Sequence, residues 1–290
     1  MLSIQKVADA AIHRFSALEP FPQPEVVVTR YPVLMMHGFG VFGTLRRGGH
    51  LHAEAMHLRS HGVLAYAPNV APYNTVAVRV PQWIERIERI LEETGAERLN
   101  VIAHSMGGLD ARWLISRMGY HDRIASLVTI STPHHGSSVA SAMLEQPELI
   151  RRFITGMCNW MGTNVVEECE ADFDTAVREL TPEAMEERFN PRVPDHPDVR
   201  YWSYAGRAGR GTGVFINPFL IYQNNLLYAR EGENDGFVSV DSARWGTFMG
   251  TYDADHARSV GLNVPPGVKA GFEAEEFYLD VVRMLAGEGL

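Results

Sequence analysis

Short apolar runs alternate with amphipathic segments along most of the chain. Apolar runs bounded by turn residues predict buried strands, whereas apolar positions that recur every three or four residues predict helices. Strands are predicted at residues 26–28, 33–36, 63–66, 99–103, 124–130 and 199–204. Helices are predicted at residues 52–61, around 83–95, at 106–118, and in a closing segment around 277–285. This alternation indicates an α/β fold with a mostly parallel sheet and helices on both faces.

The alternation stops after Ser131. Residues 137–197 show no strand pattern and are rich in helix formers, with apolar side chains crowded between residues 139 and 161. We therefore expect a single domain over residues 1–290 with a helical cap inserted at 137–197, not a second domain. The apolar residues of this insertion fit a lid over an acyl pocket, or equally a cap that is packed permanently on the core.

Composition and charge are those of an ordinary globular protein. Hydrophobic residues make up 46% and charged residues 21% of the 290 positions, and the net charge is −9. Because the basic residues are scattered, nucleic acid is not an expected partner. No apolar run approaches the roughly 20 residues that span a bilayer. Residues 1–20 predict a short helix interrupted by charges and not a secretory signal, which leaves a cytoplasmic protein and a mature secreted form both open.

The chain has two cysteines, Cys158 and Cys169. A disulfide across this short loop and two reduced thiols both fit that spacing. A CxxC metal-binding pattern is absent from the sequence, so the cysteines do not indicate a metal site. Composition and spacing leave the oligomeric state open.

The stretch AHSMGG, residues 103–108, lies between a predicted strand and a predicted helix. In that context a small-x-Ser-x-Gly motif holds a nucleophilic serine on a strained turn, and the residues two before and two after it must be small. Here those residues are Ala103 and Gly107, around Ser105. The other interpretation is a buried serine that caps the helix beginning at Met106.

A serine nucleophile needs a general base, and the base needs an acid that orients it. His256 lies in the loop before the last helix, where the base of such a fold is expected, and Asp235 in NDGFVS is the preferred acid. Asp241 and Asp253 are its competitors, and Asn-Asp-Gly is by itself an ordinary turn sequence. Five other histidines lie beside the serine, too early in the topology, or without a suitable acid: His104, His121, His134, His135 and His196.

Acyl transfer also needs two backbone N–H donors placed where negative charge develops on the substrate oxygen. One expected donor is Met106, which follows the serine. The other is Phe39 in MMHGFG, after an early strand, where the glycines allow the backbone to approach the substrate closely. A glycine-rich turn retained for steric reasons is the alternative.

These motifs together resemble the bacterial true lipases, the triacylglycerol lipases of pseudomonads and their relatives, within the α/β-hydrolase fold. The similar segments follow the family order over about residues 31–260: YPVLMMHGFG, NVIAHSMGG, STPHHGS, LTPEAMEERFN and NDGFVSVDSARWG followed by DADH. STPHHGS and NDGFVS are more restrictive than the serine motif, which many hydrolases share. The resemblance implies a triad of Ser105, Asp235 and His256, the residues that the chemistry also selects.

The chain departs from this family at its structural calcium, which steadies the histidine loop. Arg258 and Asn217 stand where the family has aspartate ligands, and calcium needs anionic or carbonyl oxygens. We therefore expect no metal site, no cofactor, and no loss of activity in excess EDTA. The Arg258 guanidinium is expected to tether the His256 loop through hydrogen bonds to carbonyls or a carboxylate, unless it faces solvent. The family disulfide is also missing.

The favoured function is a carboxylic-ester hydrolase, a lipase or esterase, that forms an acyl-enzyme on Ser105. Its expected partners are an acyl-ester substrate and a lipid interface. A thioesterase or a polyester-degrading hydrolase would use the same triad and differ in pocket shape. A protein that only sequesters an apolar ligand is disfavoured, because such relatives lose a triad residue or an oxyanion glycine and this chain keeps them.

Overall fold

The computed structural model describes residues 24–40, 49–149, 171–262 and 271–290, together with Arg152 and Gly156. Cys158, Cys169 and the predicted N-terminal helix lie outside these residues. The strands are β1 (Val33–Met36), β2 (Ala65–Tyr66), β3 (Leu99–His104), β4 (Ile124–Ile130), β5 (Arg200–Gly206) and β6 (Thr247–Tyr252). They form a sheet in the order β2-β1-β3-β4-β5-β6, and every neighbouring pair is parallel.

The helices are α1 (His52–Ser60), α2 (Val76–Thr94), α3 (Gly107–Arg117), α4 (Ser138–Leu144), α5 (Phe173–Glu179), α6 (Pro182–Ala184), α7 (Ile221–Glu231) and α8 (Ala274–Gly287). Short helical turns occur at Tyr120–Asp122, Met185–Phe189, Asn190–Arg192, Pro218–Leu220 and Arg258–Val260. No helix in the described part of the chain is long and apolar enough to cross a membrane.

Alternate residues of the central strands enter two separate apolar cores. Met35 and Ile102 face the core that contains α1 and α8, whereas Leu34 and Val101 face the core that contains α2 and α3. Successive side chains of a strand point to opposite faces, so a fully buried strand needs apolar residues at every position. The pattern of continuous apolar strands and helical cover confirms the predicted α/β fold class.

The sequence predicts one strand that the structure lacks and misses two elements that it contains. Residues 26–28 form no strand, because Val26 and Val28 are 67% and 77% exposed and pair with no neighbour in the sheet. β6 and α7 were not predicted. β6 is an edge strand with partly exposed positions, and the described buried residues of α7 are only Asn224 and Leu227, so neither element has a strong apolar pattern.

Candidate active site

Ser105 occupies the turn between β3 and α3 with a φ of +56°. This left-handed conformation is strained for a residue with a side chain, and it points the hydroxyl away from both elements. A Cβ on Gly107 would lie 2.7 Å from the carbonyl oxygens of Met36 and His37, and a Cβ on Gly38 would lie 2.5 Å from Cβ of Ser105. The small residues of both motifs therefore let β1, the following loop and the serine turn approach each other.

The structure brings together the three residues of the predicted triad. His256 Nε2 lies 3.0 Å from Ser105 Oγ, and His256 Nδ1 lies 2.7 Å from Asp235 Oδ2. A carboxylate can only accept, so Nδ1 carries the proton and Nε2 is free to accept the serine hydroxyl proton. The arrangement has the geometry of a nucleophile, a general base and an orienting acid.

Hydrogen bonds to its own loop fix the position of Asp235, independently of its contact with His256. Its Oδ1 accepts the backbone N–H groups of Phe237 and Val238, its carbonyl accepts the His256 N–H at 2.9 Å, and its side chain is fully buried. The competing acids lie elsewhere: Asp241 is beside Arg244 and Asp253 is bound to Arg207, both on the surface. The competitors are therefore not placed to orient His256.

Phe39 and Met106 flank the serine as the predicted oxyanion donors. In the described residues neither backbone N–H donates to an acceptor of the protein, which leaves both amides for a ligand. Gly38 precedes Phe39, and its close approach to Ser105 keeps the Phe39 amide next to the nucleophile. This is the arrangement that stabilises a tetrahedral oxyanion when both amides are aimed at it; their role stays a prediction.

A buried arginine that sequence reasoning missed is bonded to the loop of residues 37–39, here named the oxyanion loop after the predicted donor Phe39. Arg79 donates to the carbonyls of His37 at 2.6 Å and Gly38 at 3.2 Å, and its Nε donates to Asp110 Oδ2 at 2.8 Å. Trp83 Nε1 also donates to that carboxylate. Burial raises the pKa of Asp110, and the Arg79 guanidinium opposes this rise. The signal in the sequence was a charged residue on the apolar face of α2, four residues before Trp83.

The peptide that links Gly38 to Phe39 is therefore bonded on its carbonyl side by two donors. His37 Nδ1 donates to the Gly38 carbonyl at 2.9 Å, because its Nε2 accepts the Val70 N–H at 3.0 Å. Arg79 is the second donor. Fixing this carbonyl fixes the plane of the peptide and with it the direction of the Phe39 N–H.

The STPHHGS segment connects the serine turn to the acid loop. Thr132 Oγ1 donates to the Ser105 carbonyl at 2.7 Å. Ser137 Oγ donates to the Phe237 carbonyl, and Ser242 Oγ donates to the Gly136 carbonyl. The last two bonds join positions 100 and 106 residues apart, and the three bonds together connect the turn of Ser105 with the loop of Asp235.

The histidines that the sequence disfavoured as the base have other roles. His104 is buried, which together with the nearby His256 lowers its pKa well below 6.5. Its Nε2 donates to Ser259 Oγ at 2.8 Å, and Ser259 donates in turn to the His256 carbonyl. His134 lies buried beside Arg112, and His121 stacks on His196 away from the triad.

The positions that hold aspartate ligands to calcium in the resembling family carry groups that do not suit the ion. Arg258 is 2% exposed, so it does not face solvent. Its guanidinium makes no hydrogen bond to any described residue, so the predicted hydrogen-bonded tether is wrong among these residues. The guanidinium lies 4.6 Å from the centre of the Phe215 ring, and its Nε is 3.9 Å from Asp255 Oδ2. The Asn217 side chain already accepts the Phe219 N–H.

The carboxylate of Asp255, and not the Arg258 guanidinium, ties the His256 loop to the loop of Asn217. This carboxylate accepts the backbone N–H groups of Asn217, Ala257 and Arg258 at 3.0, 3.1 and 3.0 Å. Burial raises the pKa of Asp255, and these N–H donors oppose the rise. In the described part of the chain no group of three or more His, Cys, Asp or Glu side chains is placed to hold a metal ion.

Comparisons with known proteins agree with this architecture. Residues 75–155 match the family described as the PGAP1-like alpha/beta domain. The chain is 30% identical over 208 residues to triacylglycerol lipase 2 of Saccharomyces cerevisiae, covering 69% of this chain and 58% of that protein. It is 26% identical over 303 residues to a triacylglycerol lipase of Pseudomonas fragi, covering 91% and 99% of the two chains.

Solved structures give the same fold. A metagenomic carboxyl esterase superposes with a TM-score of 0.71 at 18% identity, covering 93% of this chain and 79% of that one. A mature Bacillus licheniformis lipase superposes with a TM-score of 0.63 at 20% identity, covering 91% and 96%. The chain has the α/β-hydrolase fold, as predicted. Its sequence relatives include triacylglycerol lipases; it spans 35–58% of the length of four of them and 99% of the Pseudomonas fragi lipase.

Proposed function

We propose that this chain hydrolyses carboxylic esters of apolar acyl chains through an acyl-enzyme on Ser105. The observation that carries the proposal is the continuous relay in which His256 Nδ1 lies 2.7 Å from Asp235 Oδ2 and Nε2 lies 3.0 Å from Ser105 Oγ. Relatives named triacylglycerol lipase support the same reaction class.

In the first half of the reaction, Ser105 Oγ attacks the ester carbonyl carbon while His256 Nε2 takes the hydroxyl proton. The carbonyl oxygen becomes an oxyanion that accepts the N–H groups of Phe39 and Met106. Asp235 stabilises the imidazolium without taking its proton. When the intermediate collapses, the C–O bond to the alcohol breaks, and the leaving alcohol takes the proton from His256.

In the second half, water attacks the acyl carbonyl and gives a proton to His256 Nε2. Collapse of this intermediate breaks the bond to Ser105, which regains its proton as the carboxylic acid leaves. Each proton stays within the relay, so the reaction needs no redox partner or external base.

An apolar cluster beside Phe39 supports an acyl substrate. The Phe39 ring lies 5.1 Å from Tyr73 and 5.3 Å from Phe173 of α5. Ala140 of α4 and Val177 of α5 belong to the same cluster. In this proposal the helices α4 and α5, the described helices beside Phe39 in the predicted cap, cover the acyl side of the site.

The experiment is hydrolysis of p-nitrophenyl esters with acyl chains of increasing length by the purified chain and by its Ser105→Ala variant. The account expects activity in the parent and a loss of at least about a thousandfold in the variant, because the nucleophile is deleted. Turnover of an acyl thioester but of none of the oxygen esters would assign the triad to a thioesterase. Equal rates in parent and variant would remove Ser105 from the mechanism.

A further inference from the structure

Eight consecutive residues expose an unusual amount of apolar surface. In the 215–222 segment the exposed fractions are 41% for Phe215, 79% for Phe219, 46% for Ile221 and 70% for Tyr222. These are four of the twelve large hydrophobic residues that are exposed in the described part of the chain. Single exposed apolar residues are ordinary, whereas several within one short segment are a feature of interaction surfaces.

The backbone of the segment is held by hydrogen bonds and by one buried side chain. Leu220 is only 7% exposed, and its Cβ is 3.1 Å from where a Cβ on Gly236 would lie. Asn217 Oδ1 accepts the Phe219 N–H, and the Asn217 N–H donates to Asp255. The segment is thus anchored by Leu220 and Asn217 while Phe219 and Tyr222 face outward.

The segment lies at the same edge of the sheet as the nucleophile. It follows the carboxyl end of β5, and Ser105 follows the carboxyl end of β3, two strands away in a parallel sheet. The Asn217–Asp255 bond joins the segment to the residue directly before His256. A surface that rests on Phe219 and Tyr222 is therefore next to the candidate active site.

Every charged side chain in the stretch around the segment is basic. Residues 206–230 contain three arginines and no Asp or Glu, in a chain of net charge −9. Arg207 and Arg230 have acidic partners outside the stretch. The Arg210 guanidinium has no carboxylate partner among the described residues and lies 4.9 Å from the centre of the Tyr228 ring. Aromatic side chains beside arginine are favourable at an anionic lipid surface.

We infer that the 215–222 segment docks the chain onto an anionic lipid–water interface, with Phe219, Ile221 and Tyr222 entering the headgroup boundary. Docking there brings the candidate active site to aggregated ester substrate, and that part of the inference rests on the proposed function. A second copy of the chain fits less well, because four side chains fall far short of the roughly 800 Å² per partner of a stable protein interface.

The test is cosedimentation with phosphatidylglycerol and phosphatidylcholine vesicles, in a Ser105→Ala background so that lipid is not hydrolysed. Phe219→Ser combined with Tyr222→Ser should weaken partition onto phosphatidylglycerol at least about tenfold, because two interfacial aromatics are lost. The matched control is Val28→Ser with Met118→Ser, which removes exposed apolar side chains at the amino edge of the sheet. The control should bind within about twofold of its parent, because that edge faces away from the lipid.

Activity separates docking from chemistry. With an active Ser105, the Phe219→Ser/Tyr222→Ser variant should keep its rate on soluble p-nitrophenyl acetate and lose at least about fivefold on an emulsified long-chain ester. The inference would be overturned if the parent does not bind phosphatidylglycerol vesicles. It would also be overturned if the Phe219→Ser/Tyr222→Ser variant binds them as strongly as the control variant. A dimeric parent that the variant turns into a monomer would also overturn it. Vesicle binding without any ester hydrolysis would instead reject the proposed function and leave the docking surface standing.

Discussion

Asp255 Oδ2 accepts the backbone N–H of Asn217 at 3.0 Å, across 38 residues of sequence. The bond joins the loop after β5 to the loop that carries His256. The same carboxylate accepts two N–H groups of its own turn, from Ala257 and Arg258. A buried carboxylate with three backbone donors holds two loops together, which is the task that the family resemblance assigns to calcium.

Asp255→Ala should lower kcat at least about tenfold while KM for a short ester stays within about twofold, because three buried N–H groups lose their acceptor and His256 loses its fixed position. The matched control is Asp253→Ala, two residues away, whose carboxylate is exposed and bound to Arg207. The control should stay near the parent value. Steady-state kinetics on both variants checks this, and an Asp255→Ala enzyme with unchanged kcat would disprove the positioning role.

Excess EDTA and added calcium should leave Tm and activity unchanged. The side chains at the family's ligand positions are a buried guanidinium at Arg258 and the amide of Asn217, which already accepts the Phe219 N–H. A guanidinium repels a divalent cation and offers it no lone pair. Thermal unfolding with each additive measures the effect. A calcium-dependent rise in Tm would contradict this account of the loop.

Arg79→Lys should reduce kcat at least about tenfold, because one ammonium cannot bond Asp110 and the carbonyls of His37 and Gly38 together. The buried Asp110 would also keep a poorly matched partner, so Tm should fall. Arg89→Lys is the control, since Arg89 lies on the same helix α2 with its side chain 65% exposed. If both variants keep the parent kcat, Arg79 does not position the oxyanion loop.

Stability should fall as the pH drops below about 6.5, the pKa of histidine in the unfolded chain. Burial lowers the pKa of His37 and His104 well below that value, and lowers the pKa of His50 to about 4. Below 6.5 the unfolded chain takes up protons that the folded chain refuses, so each such histidine costs about 1.4 kcal/mol per pH unit until its folded pKa is reached.

Urea unfolding between pH 7.5 and pH 5 measures this loss. His104→Asn should reduce the slope by about one proton. The comparison variant is His135→Asn, which replaces an imidazole that is 44% exposed. A free energy of unfolding that is flat over this pH range would mean that these histidines are not buried in neutral form.

The elements found from the sequence are those whose apolar pattern is complete. β4 is buried at all seven positions, and its predicted bounds are the observed ones. β6 has only Tyr252 fully buried, because it lies at the edge of the sheet, so its sequence lacks the signal. Val26 and Val28 show the opposite error, a predicted strand that does not form. Their apolar sequence is typical of a strand, but both side chains are exposed and the segment does not pair with the sheet.

The candidate site also contains residues that the sequence predicts and residues that it does not. Ser105 follows from a local motif, and His256 and Asp235 follow from chain order. The supporting residues do not, because their partners are distant: the sequence DADH offers Asp253 and Asp255 equally, and only the contact with Asn217 separates them. Arg79 likewise has the sequence of a charged residue in an amphipathic helix, and its role depends on the loop at Gly38.

The proposed reaction depends first on Ser105 being the nucleophile, with His256 as its base. Labelling with a fluorophosphonate, followed by mass spectrometry of the digested protein, tests it directly. The account predicts one phosphonyl group per chain on Ser105, no label in Ser105→Ala, and labelling slowed by at least about a hundredfold in His256→Ala, because the serine loses its base. An active enzyme whose Ser105 remains unlabelled, or whose label lies on another residue, would contradict it.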